Sequence, residues 1–167
     1  MILILIGLLL IFIPLPIPLR GDDVILLLDY MPHWLGYALI LWGLARQKES
    51  SNRTTGMVMS VAAILASGAI WGMLLTGIVV SFPLVEIFQL LLTYYILLWC
   101  EEQEEMGQSY HIGRFRMSWY SLVGARAASV LLGAVMASLS FVWAGAALGT
   151  GLFYTWTFFQ LQSMVER

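Results

Sequence analysis

Charge is the scarcest property of this sequence. Of its 167 residues only 11% are Asp, Glu, Lys or Arg, against about 25% in a soluble domain. The balance of −2 excludes the basic excess that binds nucleic acid. There is one cysteine, Cys100, so no intramolecular disulfide forms and cysteine usage marks no redox compartment. Met1 to Ile13 holds no Lys or Arg and no small-residue cleavage site follows, so the N-terminus reads as a retained membrane segment rather than a secretory signal. Catalytic signatures are also missing from the sequence: there is no Gly-x-Ser-x-Gly elbow, no His-Glu-x-x-His and no glycine-rich phosphate loop. With two histidines and one cysteine, metal or nucleophilic chemistry has few candidates. No catalytic residue, metal ligand or cofactor is expected.

What abounds is apolar surface: 60% of the residues are hydrophobic and the mean hydropathy is +0.87. A water-soluble fold of this length cannot hide that much, whereas lipid removes the need. The composition predicts an all-α fold, a polytopic transmembrane helix bundle forming one domain over residues 1–167, with the lipid bilayer as its surroundings. A crossing takes roughly 20 apolar residues. Six segments qualify, at about 2–19, 24–45, 57–80, 83–100, 118–138 and 140–161. The first is unusual, because Pro14, Pro16 and Pro18 interrupt its second half. A short helix followed by a polyproline-like stretch reaches across, provided that its bare backbone is shielded or lies at the interface.

Loop charges set the orientation. Arg46, Lys48, Arg53, Arg114, Arg116 and Arg167 fall on one side of a six-span path, and Arg20 alone on the other. The positive-inside rule then places both termini in the cytoplasm of a bacterial cell, with the chain in its plasma membrane. Trp42, Trp99 and Trp119 mark inner span ends and Trp143 an outer one, where amphipathic rings collect.

Small residues let membrane helices approach. Gly68 and Gly72, Gly145 and Gly149, and Gly133 with Ala137 supply three such pairs, for packing inside one monomer or for an oligomer face.

Ionisable groups within a span are costly and so mark candidate sites. Asp29 and His33 stand four apart around Pro32. On a helix they would share a face and could pass a proton, since a carboxylate favours the charged imidazole. Equally, Asp29 could cap a helix running from Tyr30 to Ala45. The stretch Asp29-Tyr30-Met31-Pro32-His33-Trp34-Leu35-Gly36-Tyr37, with the apolar run ending at Gly43-Leu44, resembles a group of small uncharacterised polytopic membrane proteins from Gram-positive bacteria. Those share an early Asp-x-x-Pro-x-x-x-Gly-Tyr stretch ahead of an apolar helix. Where they usually carry an acidic residue after the proline, this chain has His33. The resemblance implies a membrane helix and brings no activity with it.

Glu86, Gln89 and Thr93 fall on one face of segment four, which should look into the bundle or into a wet cavity. Arg126 lies about two turns into segment five. It either snorkels to the inner surface near Glu101 or Glu102, or takes a deeper partner such as Glu86, Asp29 or an anionic ligand. With the spans bounded as above, Glu86 and Arg126 differ in height by roughly 13 Å. A water, Gln89 or a ligand would then have to bridge them. Thr150, Tyr154, Thr157 and Gln160 share a face of segment six, where such groups more often link helices. The run from Glu101 to Glu105 reads as a solvated face, since a consecutive acidic run does not wrap a cation. Cys100 reads as an inert thiol rather than an acylation site.

Three functions follow as expectations. The first is a non-catalytic accessory, regulatory or assembly component that works with a membrane-protein partner or a second copy. The second is a small-solute transport or substrate-binding subunit, since six spans in so short a chain resemble in layout the substrate-capture subunits of bacterial vitamin uptake systems. The last is an intramembrane enzyme using Asp29, His33 or Glu86.

Overall fold

The computed structural model describes residues 1–13, 16–20, 25–29, 33–76, 83–104, 109–133 and 140–165. They form six helices and one two-stranded hairpin: α1 (Ile2–Phe12), β1 (Pro16–Arg20), β2 (Ile25–Asp29), α2 (His33–Ala45), α3 (Ser51–Leu75), α4 (Pro83–Glu104), α5 (Ser109–Gly133) and α6 (Ser140–Val165). Each helix packs against its neighbours in sequence, and α6 closes onto α1.

The hairpin corrects the all-helical reading of the first two segments. β1 and β2 pair antiparallel, Pro16 opposite Asp29 and Arg20 opposite Ile25. Proline cannot donate to a ladder and is confined to strand edges. Pro16 and Pro18 alternate with Ile17 and Leu19, so every second N–H is retained. Those N–H groups share one edge of β1; in the register Ile17 lies opposite Leu28 and Leu19 opposite Leu26. The intervening Gly-Asp-Asp-Val sequence has turn-forming composition. The apolar stretches expected to cross at 2–19 and 24–45 are therefore each part helix and part strand. α1 has 11 residues and α2 has 13, or about 16 and 20 Å of helix against a 30 Å hydrocarbon core.

The remaining helices extend beyond their apolar stretches. α3 begins at Ser51 rather than Met57, α4 continues to Glu104, α5 begins at Ser109 rather than Ser118, and α6 continues to Val165. At the end of α4 the run Glu101-Glu102-Gln103-Glu104 consists of good helix formers and carries the helix past the last apolar turn. Ser50 starts α3 as an N-cap: its Oγ accepts from the Arg53 N–H at 3.1 Å, and its carbonyl from Thr54 N. Among the described residues one stretch, Ser51–Met73, is long and apolar enough to cross a membrane, at mean hydropathy 1.7 over 23 residues. Only 22% of it is buried, which is low for the core helix of a soluble protein.

The core centres on α1. Ile4, Leu8, Ile11 and Phe12 are buried, with Tyr37, Ile40 and Leu44 of α2 and Tyr154 and Phe158 of α6. α1 and α2 are antiparallel and touch through glycine. A Cβ on Gly7 would stand 2.6 Å from the Gly36 carbonyl oxygen, and one on Gly36 2.8 Å from that of Gly7. Gly43 meets Ile4, and Gly151 of α6 meets the Phe12 ring. The glycines singled out by spacing behave otherwise. A Cβ at Gly68, Gly72, Gly145 or Gly149 would meet nothing within 4 Å among the described residues, so these four do not bring helices together inside the monomer. The Gly133–Ala137 pair lies partly outside the described residues.

Candidate functional site

The polar residues of α4 are graded by depth. The Glu86 side chain is 42% exposed, Gln89 is 6% exposed, and Thr93 is fully buried. Their i, i+3, i+7 spacing places all three on one face, and that face turns inward as the helix proceeds. Thr93 is satisfied locally, its hydroxyl donating to the Leu90 carbonyl at 2.9 Å. The Thr93 carbonyl also accepts from the Tyr154 hydroxyl at 2.6 Å, which ties α4 to α6. Gln89 differs: its Nε2 has no acceptor among the described residues.

α5 returns antiparallel to α4. Tyr94 stacks on Trp119 at 4.9 Å, Glu101 pairs with Arg116 at 2.8 Å, and Arg126 Nη1 lies 3.5 Å from Glu86 Oε1. This direct pair corrects the height difference expected from the sequence. Glu86 lies 18 residues before the end of α4, and Arg126 lies 17 residues after the start of α5. At 1.5 Å per residue both stand about 26 Å from the connection that joins the helices. The nine extra residues at the start of α5 supply the missing rise. The Arg126 side chain is 21% exposed, so it is neither sealed in the core nor fully extended into the surroundings.

Tyr37, which spacing arguments passed over, is buried on α2 in the core with Ile40 and Leu44. Its place directly after Gly36 was the available signal, since the close approach of α1 at Gly36 fixes how that turn of α2 is set. The candidate site is therefore the Glu86–Arg126 pair between α4 and α5, with Gln89 one turn further along α4.

Asp29 and His33 do not form the helical pair. Asp29 ends β2 in extended backbone, so i, i+4 geometry is absent. Residues 30–32, on which a cap would depend, lie outside the described residues. His33 opens α2, with Nδ1 3.2 Å from the Leu10 carbonyl oxygen. A carbonyl only accepts, so this nitrogen carries the proton and donates. Leu10 sits in the last turn of α1, where carbonyls lack helical partners, so His33 closes the end of one helix from the start of the next.

The start of α3, the end of α4 and the start of α5 are cross-braced. Arg116 donates to Glu101 through Nε and Nη2 at 3.0 and 2.8 Å. The bond to Glu101 raises the already high pKa of this exposed guanidinium further. Asn52 donates to Glu102, joining α3 to α4. The acidic run is therefore engaged at two positions rather than purely solvated. The Arg46 guanidinium lies 4.6 Å over the Trp42 ring. Cys100 is buried in the core. On α6, Thr157 meets Ser118 of α5 at 2.9 Å, while Thr150 bonds back to its own helix. Among the described residues no group of three or more His, Cys, Asp or Glu is placed to hold a metal ion.

No protein-family model matches the chain, and neither the curated proteins nor the solved structures hold a match.

Proposed function

We propose that the chain is a multi-spanning helical protein of a bacterial plasma membrane, with both termini cytoplasmic, acting as a non-catalytic accessory, regulatory or assembly component. The observation that carries this reading is the outer surface of α3 and α6. Leu65 is 70% exposed and Trp156 56%, and Val58, Val61, Leu75, Val142, Leu152, Phe153 and Phe159 are exposed beside them. In water such a surface would drive aggregation; in lipid it is the expected exterior. A Cβ on Gly68, Gly72, Gly145 or Gly149 would meet no neighbour within 4 Å among the described residues, which suits close approach by another membrane helix. The basic bias of the inner loops supports the orientation, and the Asp29–Tyr37 resemblance supports the bacterial setting.

The test is native mass spectrometry of the protein purified in mild detergent from its own host. Stoichiometric co-purifying subunits are the expected result, and a lone monomer throughout would contradict the assembly role.

A second reading, a small-solute transport or substrate-binding subunit, is favoured by one specific observation. Gln89 brings an unpartnered buried donor onto the same face of α4 as the Glu86–Arg126 pair.

A further inference from the structure

The prolines of β1 fix which way the backbone groups of the hairpin point. In an antiparallel pair, residues that exchange hydrogen bonds alternate with residues whose N–H and carbonyl face away. Pro16 and Pro18 have no N–H to give, so the exchanging pairs are Ile17 with Leu28 and Leu19 with Leu26. Pro16, Pro18 and Arg20 then turn their backbone groups away from β2, and their partners Asp29, Leu27 and Ile25 turn theirs away from β1. The two outer edges of the hairpin are therefore unlike. The β1 edge lacks the Pro16 and Pro18 donors, which closes a strand to further pairing. The β2 edge keeps both N–H and carbonyl at Ile25, Leu27 and Asp29, and no described residue pairs with it.

Two strands alone are marginally stable, and in the membrane setting proposed above an unpaired edge is more costly still. An occupant must bring an extended segment with an open edge of its own. The β2 strand of another copy is such a segment, because a two-fold axis lays it antiparallel against the first. We propose that the chain dimerises by pairing β2 with β2 of a second copy, in the four-stranded order β1–β2–β2–β1. The register that pairs all five residues centres the axis on Leu27 and sets Ile25 opposite Asp29 of the second copy. In that register the three residues that face away from β1 become the three hydrogen-bonded pairs, so the open edge is used in full. The sheet then ends on both sides in a proline-bearing β1, and growth stops at two copies. This rests on the assembly reading above and names a second copy as the partner.

The experiment is disulfide trapping of the full chain in membranes of the expressing cell, in a Cys100→Ser background, with copper phenanthroline as oxidant. Across the axis the two Leu27 Cα atoms stand about 5.5 Å apart, within disulfide reach. The two Leu26 Cα atoms are offset along the strands and stand about 8 Å apart, beyond that reach. The expected result is a covalent dimer from Leu27→Cys and little or none from Leu26→Cys. Native mass spectrometry in mild detergent supplies a second measurement. Leu27→Pro removes both bonds of the central pair and leaves the Leu26 and Leu28 bonds to β1 in place. It should raise the dissociation constant of the dimer about 10- to 100-fold. Absence of the Leu27→Cys dimer, equal trapping at both positions, or unchanged dissociation in Leu27→Pro overturns the pairing. A dimer trapped through Gly145→Cys and not through Leu27→Cys overturns it as well, while leaving the assembly reading intact.

Discussion

Gly7 and Gly36 meet backbone to backbone, each standing where the other's carbonyl oxygen leaves no room for a Cβ. This contact holds α1, the most buried helix, against α2. Gly7→Ala and Gly36→Ala should each force the helices apart and cost about 1–3 kcal/mol, the usual range for overpacking. The thermal midpoint in detergent should fall accordingly. Gly145→Ala and Gly149→Ala meet open space instead and should leave the monomer midpoint unchanged or slightly raised. A change in subunit stoichiometry on those substitutions would locate the association face on α6.

Glu86 and Arg126 should behave as a coupled pair. Replacing either with Gln leaves the other charge without this partner, so the double variant should be less damaged than the two single losses combined. The Glu86 side chain is substantially exposed, so the coupling is expected near the upper end of the surface range, at about 1 kcal/mol. A double-mutant cycle on detergent stability measures it, and additive losses would show that the two side chains do not interact.

Tyr154 joins four helices. Its ring touches Phe12 at 6.2 Å and Phe115 at 4.7 Å, and its hydroxyl bonds to the Thr93 carbonyl. Tyr154→Phe removes only that bond and should cost about 0.6–1 kcal/mol. Tyr154→Ala empties the centre as well and should cost about 3–5 kcal/mol. Both are read from thermal melts, and equal losses would mean that the ring contacts contribute nothing.

Cys100 should resist a small maleimide in the folded protein and react fully once the chain is denatured, because its side chain is buried among core residues. Rapid labelling of the folded form would contradict the packing of the C-terminal end of α4.

The helices were legible because apolar runs of the right length announce themselves, and the inward face of Gln89 and Thr93 followed from spacing alone. Three things were not legible, each for a physical reason. Alternating prolines suit both a polyproline stretch and an edge strand, and only the partner Ile25–Asp29 distinguishes them. An apolar run ends where side chains turn polar, which need not be where the helix ends. The polar start of α5 was therefore discounted, and Arg126 was set too low to reach Glu86. A GxxxG spacing shows that two glycines share a face without telling which way the face looks. Among the described residues Gly68, Gly72, Gly145 and Gly149 meet no neighbour, while the less regular Gly7, Gly36, Gly43 and Gly151 carry the close contacts.

Topology is the most direct test of a multi-spanning chain with cytoplasmic termini. In a Cys100→Ser background, single cysteines replace Asp22, Lys48 and Arg114, and intact cells are treated with a membrane-impermeant maleimide before and after permeabilisation. The expected result is labelling of Asp22→Cys in intact cells, and of Lys48→Cys and Arg114→Cys only after permeabilisation. Identical accessibility of all three positions, or release of the chain from membranes by alkaline carbonate, would contradict it.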